Sequence, residues 1–101
     1  MKKLSVVVLA KNEQDSIADC LKRLAFADEI IVIDDMSEDQ TAEIAKKLGA
    51  QVYVRKLDDF ASQRNFGLSK AGGKWVLFID ADELVPVDLE REIIKHINKD
   101  L

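Results

Sequence analysis

The sequence predicts an α/β fold, an open and mainly parallel four-stranded sheet with helices on both faces. Two observations predict it. Four short apolar runs rich in β-branched residues alternate with segments whose apolar residues recur at helical spacing. The first, second and fourth runs show no polar alternation, which is how parallel strands covered on both faces read. The order β-α-β-α-β-α-β-α implies right-handed crossovers that lay the helices over the sheet.

Leu4 to Ala10 forms the first run. Met1-Lys2-Lys3 ahead of it faintly imitates a signal peptide, but Lys11-Asn12-Glu13 follows where a small-residue cleavage site would stand, so a strand is expected. Ile17, Leu21 and Leu24 then recur at i, i+4 and i+7, the stripe of a first helix. Glu29 to Ile33 is the second strand. Ala42, Ala45 and Leu48 mark a second helix, preceded by a Ser37-x-x-Gln40 capping box and closed by Gly49 at the C′ position. Gln51 to Val54 is a short third strand. A weaker helical pattern runs from about Phe60 to Ala71 and stops at Gly72-Gly73; Lys74 to Ile79 is the fourth strand. A last helix follows Asp88, with Leu89, Ile93, Ile94 and Ile97 on one stripe and Pro86 ending what precedes it.

A length of 101 residues is one domain's worth, and 48% hydrophobic with 34% charged residues is a globular balance. The net charge of −4 argues against a broad nucleic-acid footprint or an anionic membrane surface as partner. Cys20 is the single cysteine, so no internal disulfide forms and a reducing, cytoplasmic setting is expected. No apolar run approaches the ~18 residues of a membrane span.

In sheets of this kind ligands bind beyond the carboxyl ends of the strands. The first strand ends in Lys11-Asn12-Glu13, the second in Asp34-Asp35, the fourth in Asp80-Ala81-Asp82-Glu83. Carboxylates gathered on one edge repel unless a cation intervenes. Hard oxygen ligands favour Mg²⁺ or Mn²⁺, which take one or two protein carboxylates and leave the other positions to water and phosphate. A phosphorylated ligand is therefore expected. Each signal has a plainer reading. Asp34-Asp35 with Ser37, Asp39 and Thr41 reads equally as a polar turn and helix cap, Asn12 as a cap, and Arg64 as a solvated helix residue rather than a phosphate contact. His96 reads as a boundary residue, Cys20 as a small buried hydrophobe, and Trp75 and Phe78 as core strand residues. There is no Gly-x-Gly-x-x-Gly, no Gly-x-x-x-x-Gly-Lys-Ser/Thr loop and no nucleophilic triad. Aspartyl-phosphate chemistry is disfavoured, because its acids belong after a first strand.

Leu4 to Glu13, Asp34-Asp35-x-Ser37-x-Asp39-x-Thr41, Gln63-Arg64-Asn65-x-Gly67 and Phe78-Ile79-Asp80-Ala81-Asp82-Glu83 occur in an order and spacing that resemble the nucleotide-sugar-binding half of glycosyltransferase family 2. Phe60 to Phe66 is most similar to the branch that includes lipopolysaccharide-core glucosyltransferases. The resemblance implies a GT-A fold with a Rossmann-like donor half, and residues 1–101 as a single nucleotide-sugar-binding domain belonging to a longer enzyme. It implies that Asn12 and Glu13 border base and ribose, that Asp35 accepts from a uracil-type base, and that Arg64 lies near diphosphate or sugar. Asp80 would lie near ribose or metal, and Asp82 would ligate Mg²⁺ or Mn²⁺. The implied reaction is inverting transfer from a nucleoside-diphosphate sugar, a UDP-sugar first, to a glycan or lipid-linked acceptor of the cell envelope. Lys11 stands where the family often has an aromatic, and Met36 where it often has Gly. The implied catalytic base belongs to an acceptor half that this sequence does not include. The alternative is a non-catalytic nucleotide-binding module, or one that self-associates as a homodimer through an uncovered sheet edge.

Overall fold

A computed structural model describes residues 2–99. Four strands, β1 (Leu4–Ala10), β2 (Glu29–Asp34), β3 (Gln51–Val54) and β4 (Trp75–Asp80), alternate with four helices, α1 (Ile17–Lys22), α2 (Thr41–Lys47), α3 (Phe60–Lys70) and α4 (Val87–Lys99). The sheet order is β3-β2-β1-β4, and every pairing is parallel. The order reverses direction at β1, between β2 and β4, so the loops after these three strands share one edge.

Val6, Val8 and Val32 on one sheet face pack with Ile17, Cys20 and Leu21 of α1, Ala45 of α2 and Ile97 of α4. Val7, Ile31 and Ile33 on the opposite face pack with Phe66 of α3. Central β1 is thus enclosed on both sides, and Val6, Val7 and Val8 have no exposed surface. Gly67 lets α3 close on the sheet, since a Cβ there would stand 2.4 Å from Val7 Cγ1. Gly49 ends α2 with φ +92°, the left-handed conformation a C′ glycine supplies at least cost.

Three local expectations are corrected. Trp75 and Phe78 are 41% and 36% exposed, not core, because β4 is an edge strand with β1 on one side only. β2 and β4 each run one residue further than expected, which makes Asp34 and Asp80 terminal strand residues. The Ser37–Gln40 capping box does not form, and α2 starts without a side-chain cap. Ser37 is drawn elsewhere: its hydroxyl donates to Asp34 Oδ1 at 2.6 Å and its amide to Asp34 Oδ2 at 3.0 Å, satisfying a buried carboxylate.

The amino ends of the strands are tied by one buried acid. Glu29 accepts hydrogen bonds from Lys2 Nζ (2.9 Å), Ser5 Oγ (2.5 Å), the Gly72 amide (2.6 Å) and Gln51 Nε2 (3.3 Å). Burial alone would raise its pKa, but the hydrogen bonds from Ser5, Lys2 and Gly72 outweigh it and hold the carboxyl at about 2. Nearby, Leu4, Trp75, Leu77, Leu89, Ile93 and Ile97 line an apolar groove between β4 and α4.

Candidate functional site

A cleft of about 340 Å³ opens at the carboxyl edge of the sheet. Its walls come from the ends of β1 and β2, the β4 turn, and the segment leading into α3: Lys11, Glu13, Asp35, Phe60, Gln63, Asp80 and Asp82 all line it. Four carboxylates from three strand ends distant in sequence therefore share one cavity with the ammonium of Lys11.

The loops after β1 and β2 are stitched into one wall. Asn12 takes φ 51°, a conformation that asparagine tolerates. Its amide donates to Ser37 Oγ at 2.8 Å, while its Oδ1 accepts from the Glu38 amide at 2.8 Å. The amides of Glu13 and Gln14 donate to Thr41 Oγ1 (2.8 Å) and Asp39 Oδ2 (3.2 Å). Asp39 also accepts from the Thr41 hydroxyl and amide, and these bonds hold its carboxyl below the ordinary carboxylate range. Asp35 is fixed on both sides: Oδ1 accepts from the Leu57 amide at 2.8 Å, and Lys11 Nζ lies 3.7 Å from Oδ2.

The opposite wall is the β4 turn. Ala81 continues the β1 ladder by donating to Leu9 O at 3.0 Å. Glu83 folds back, its Oε1 accepting from the Asp80 amide at 2.7 Å. Behind the turn lies Cys20, whose thiol is pushed up to about 11 by burial, with Glu83 and Asp82 adding to it. Buried Gln63 forms part of the floor, donating to Arg55 O at 2.8 Å and accepting from Arg55 Nη1 at 2.7 Å.

Of the residues singled out in the sequence, Glu13, Asp35, Asp80 and Asp82 meet in the cleft, whereas Asn12 and Arg64 are not among its lining residues. Asn12 joins the two loops instead. Arg64 lies in an adjoining groove with Phe78, Asp80 and Glu83, its guanidinium 5.8 Å from the Phe60 ring. Sequence reasoning does not single out Gln63 or Phe60 as site residues. Phe60 carries a legible signal, an aromatic at the first position of a polar helix behind the Asp59 cap, 58% exposed in the structure.

Among the described residues no group of three or more His, Cys, Asp or Glu side chains is gathered to hold a metal ion. The donor chemistry still fits Mg²⁺ or Mn²⁺, because Asp80 and Asp82 supply two hard carboxylates and such ions need only one or two from protein.

The sequence profile of Glycosyl transferase family 2 matches residues 5–101. The chain belongs to glycosyltransferase family 2. An uncharacterized glycosyltransferase of Rickettsia prowazekii (strain Madrid E) is 43% identical over 94 residues, covering 92% of this chain and 32% of the relative. The crystal structure of TarS from S. aureus superposes with a TM-score of 0.75 at 30% identity, over 96% of this chain and 32% of that one. Glucosyl-3-phosphoglycerate synthase from Mycobacterium tuberculosis, solved with Mn²⁺, UDP and glucosyl-3-phosphoglycerate, gives a TM-score of 0.66 at 28% identity, over 79% of this chain and 33% of that one. This family 2 chain thus spans about a third of the length of the relatives it matches. The α/β architecture and family expected from the sequence both hold.

Proposed function

We propose that this domain binds the donor of a glycosyltransferase, a UDP-sugar, at the carboxyl edge of its sheet. The observation that carries the reading is the meeting of Glu13, Asp35, Asp80 and Asp82 in one cleft. A structural neighbour solved with UDP and Mn²⁺ supports it. In this reading Asp35, oriented by the Leu57 amide, accepts from the base, and Lys11 beside it offers a donor to a base carbonyl. Phe60 and Leu57 supply an apolar wall. Asp80 and Asp82 would hold Mg²⁺ or Mn²⁺, which would supply charge neutralisation for a departing diphosphate. Arg64, which lines the adjoining groove together with Asp80, reaches the sugar or the diphosphate from the other flank. Inverting transfer to a glycan or lipid-linked acceptor belongs to the whole enzyme. A cytoplasmic setting suits the buried free thiol of Cys20.

Calorimetry with UDP and Mn²⁺ tests this. Saturable binding weakened at least roughly tenfold by Asp82→Ala is expected, the loss of one charged contact. Absence of binding, or equal binding by that variant, would refute it. A second reading, self-association, is favoured by exposed Trp75 and Phe78 on the β4 edge. Sedimentation showing a monomer at all concentrations dismisses it.

A further inference from the structure

We infer that α1 carries a positioning face for the acidic turn, in which Ser16, Cys20 and Arg23 set where Asp80 and Asp82 stand. This inference rests on the reading of the cleft as a diphosphate and cation site. The three residues are spaced i, i+4 and i+7, so they lie along one side of the helix and its two caps. All three approach backbone carbonyls of the segment that follows β4. Ser16 Oγ lies 3.3 Å from Ala81 O, Cys20 Sγ lies 3.9 Å from Asp80 O, and Arg23 Nε donates to Val85 O at 2.9 Å.

Arg23 makes the firmest of these contacts. Its far end reaches α4, with Nη2 3.8 Å from Glu90 Oε1. That same nitrogen is buried and has no hydrogen-bond partner among the described residues. One guanidinium therefore spans both ends of the link between the turn and α4. Ser16 has a single proton, and its nearest acceptor is Glu13 Oε2 at 2.8 Å. That one proton serves either the Glu13 carboxylate or the Ala81 carbonyl, on opposite walls of the cleft, and not both at once.

The turn needs such support. Glu83 fixes its internal shape through the Asp80 amide, but β4 is an edge strand, with a neighbour on one side only. Ala81 and Val85, 1% and 4% exposed, are pressed into the core, which leaves Asp82 at the cleft between two pegged positions. Two carboxylates that share an ion must keep a fixed separation, and displacements on the order of 1 Å at positioned groups can cost ~100-fold.

The test measures UDP affinity of the 101-residue chain by calorimetry, once with Mn²⁺ and once with EDTA, alongside thermal melts. Arg23→Met keeps the apolar stem and removes the donor. It is expected to lose roughly tenfold of the Mn²⁺-dependent gain in affinity while its affinity in EDTA stays within about twofold, with Arg23→Lys, which keeps the charge but carries a methylene where Nε donated, recovering only part of the gain. An undiminished gain in folded Arg23→Met, or equal loss of both affinities, overturns the inference. Should Arg23→Met fail to fold, Ser16→Ala is measured in the same way, and the same two results overturn the inference. A wild-type chain without any Mn²⁺ gain overturns this inference together with the donor-site reading. A gain abolished by Asp82→Ala but untouched by Arg23→Met and Ser16→Ala overturns the positioning role alone.

Discussion

Replacing Glu29 with glutamine should remove a pH-dependent share of the stability. The Glu29 carboxyl falls from an ordinary 4.5 to about 2 in the folded chain. A drop of that size corresponds to about 3 kcal/mol of folding free energy, at ~1.36 kcal/mol per unit. Because the folded-state pKa is the depressed one, the contribution is fully present above the unfolded value of 4.5 and is lost as pH falls towards 2. Other acids titrate in the same window, so the informative quantity is the gap between wild type and Glu29→Gln. Urea unfolding at a series of pH values should give a gap of about 3 kcal/mol at neutral pH, narrowing to within ~1 kcal/mol near pH 2. The cleft lies at the other end of the strands, so UDP affinity of the folded variant should not change. A gap that is the same at every pH would refute the assignment of this stabilisation to the ionised carboxylate.

Two further outcomes follow from packing. Gly67→Ala places a methyl 2.4 Å from Val7 Cγ1 and should destabilise by roughly 1–3 kcal/mol, read as a lowered thermal midpoint. The Cys20 thiol, fully buried and held at about 11, should resist iodoacetamide at pH 7.5 in the folded chain and react once urea unfolds it; rapid labelling under native conditions would contradict its burial.

The strand pattern was legible because buried parallel strands write themselves as unbroken apolar runs. Leu4 to Ala10, buried along nearly its whole length, is bounded in the structure as the residues suggest. The acids at strand ends were legible too, since alternation alone puts those ends on one edge. Side-chain direction within a helix was not. Successive helical residues turn about 100°, so placing buried Gln63 towards Arg55 carries Arg64 out of the cleft and over Phe60. Pairing order was equally hidden. Nothing local to Trp75 or Phe78 says that β4 takes a neighbour on one side, at the margin of the sheet, where both are exposed. Ser37 illustrates a third limit, because its capping spacing competed with a buried Asp34 carboxylate three residues back, and the buried charge won.

The most direct measurement is amide NMR of the chain titrated with UDP and then with Mn²⁺. The account predicts UDP-induced shifts at Lys11, Glu13, Asp35 and Leu57, and Mn²⁺ broadening centred on Asp80 to Glu83, with both footprints meeting in one cleft. Broadening centred on Asp28 and Glu29 at the opposite end of the strands, or a UDP footprint on another face, would contradict it.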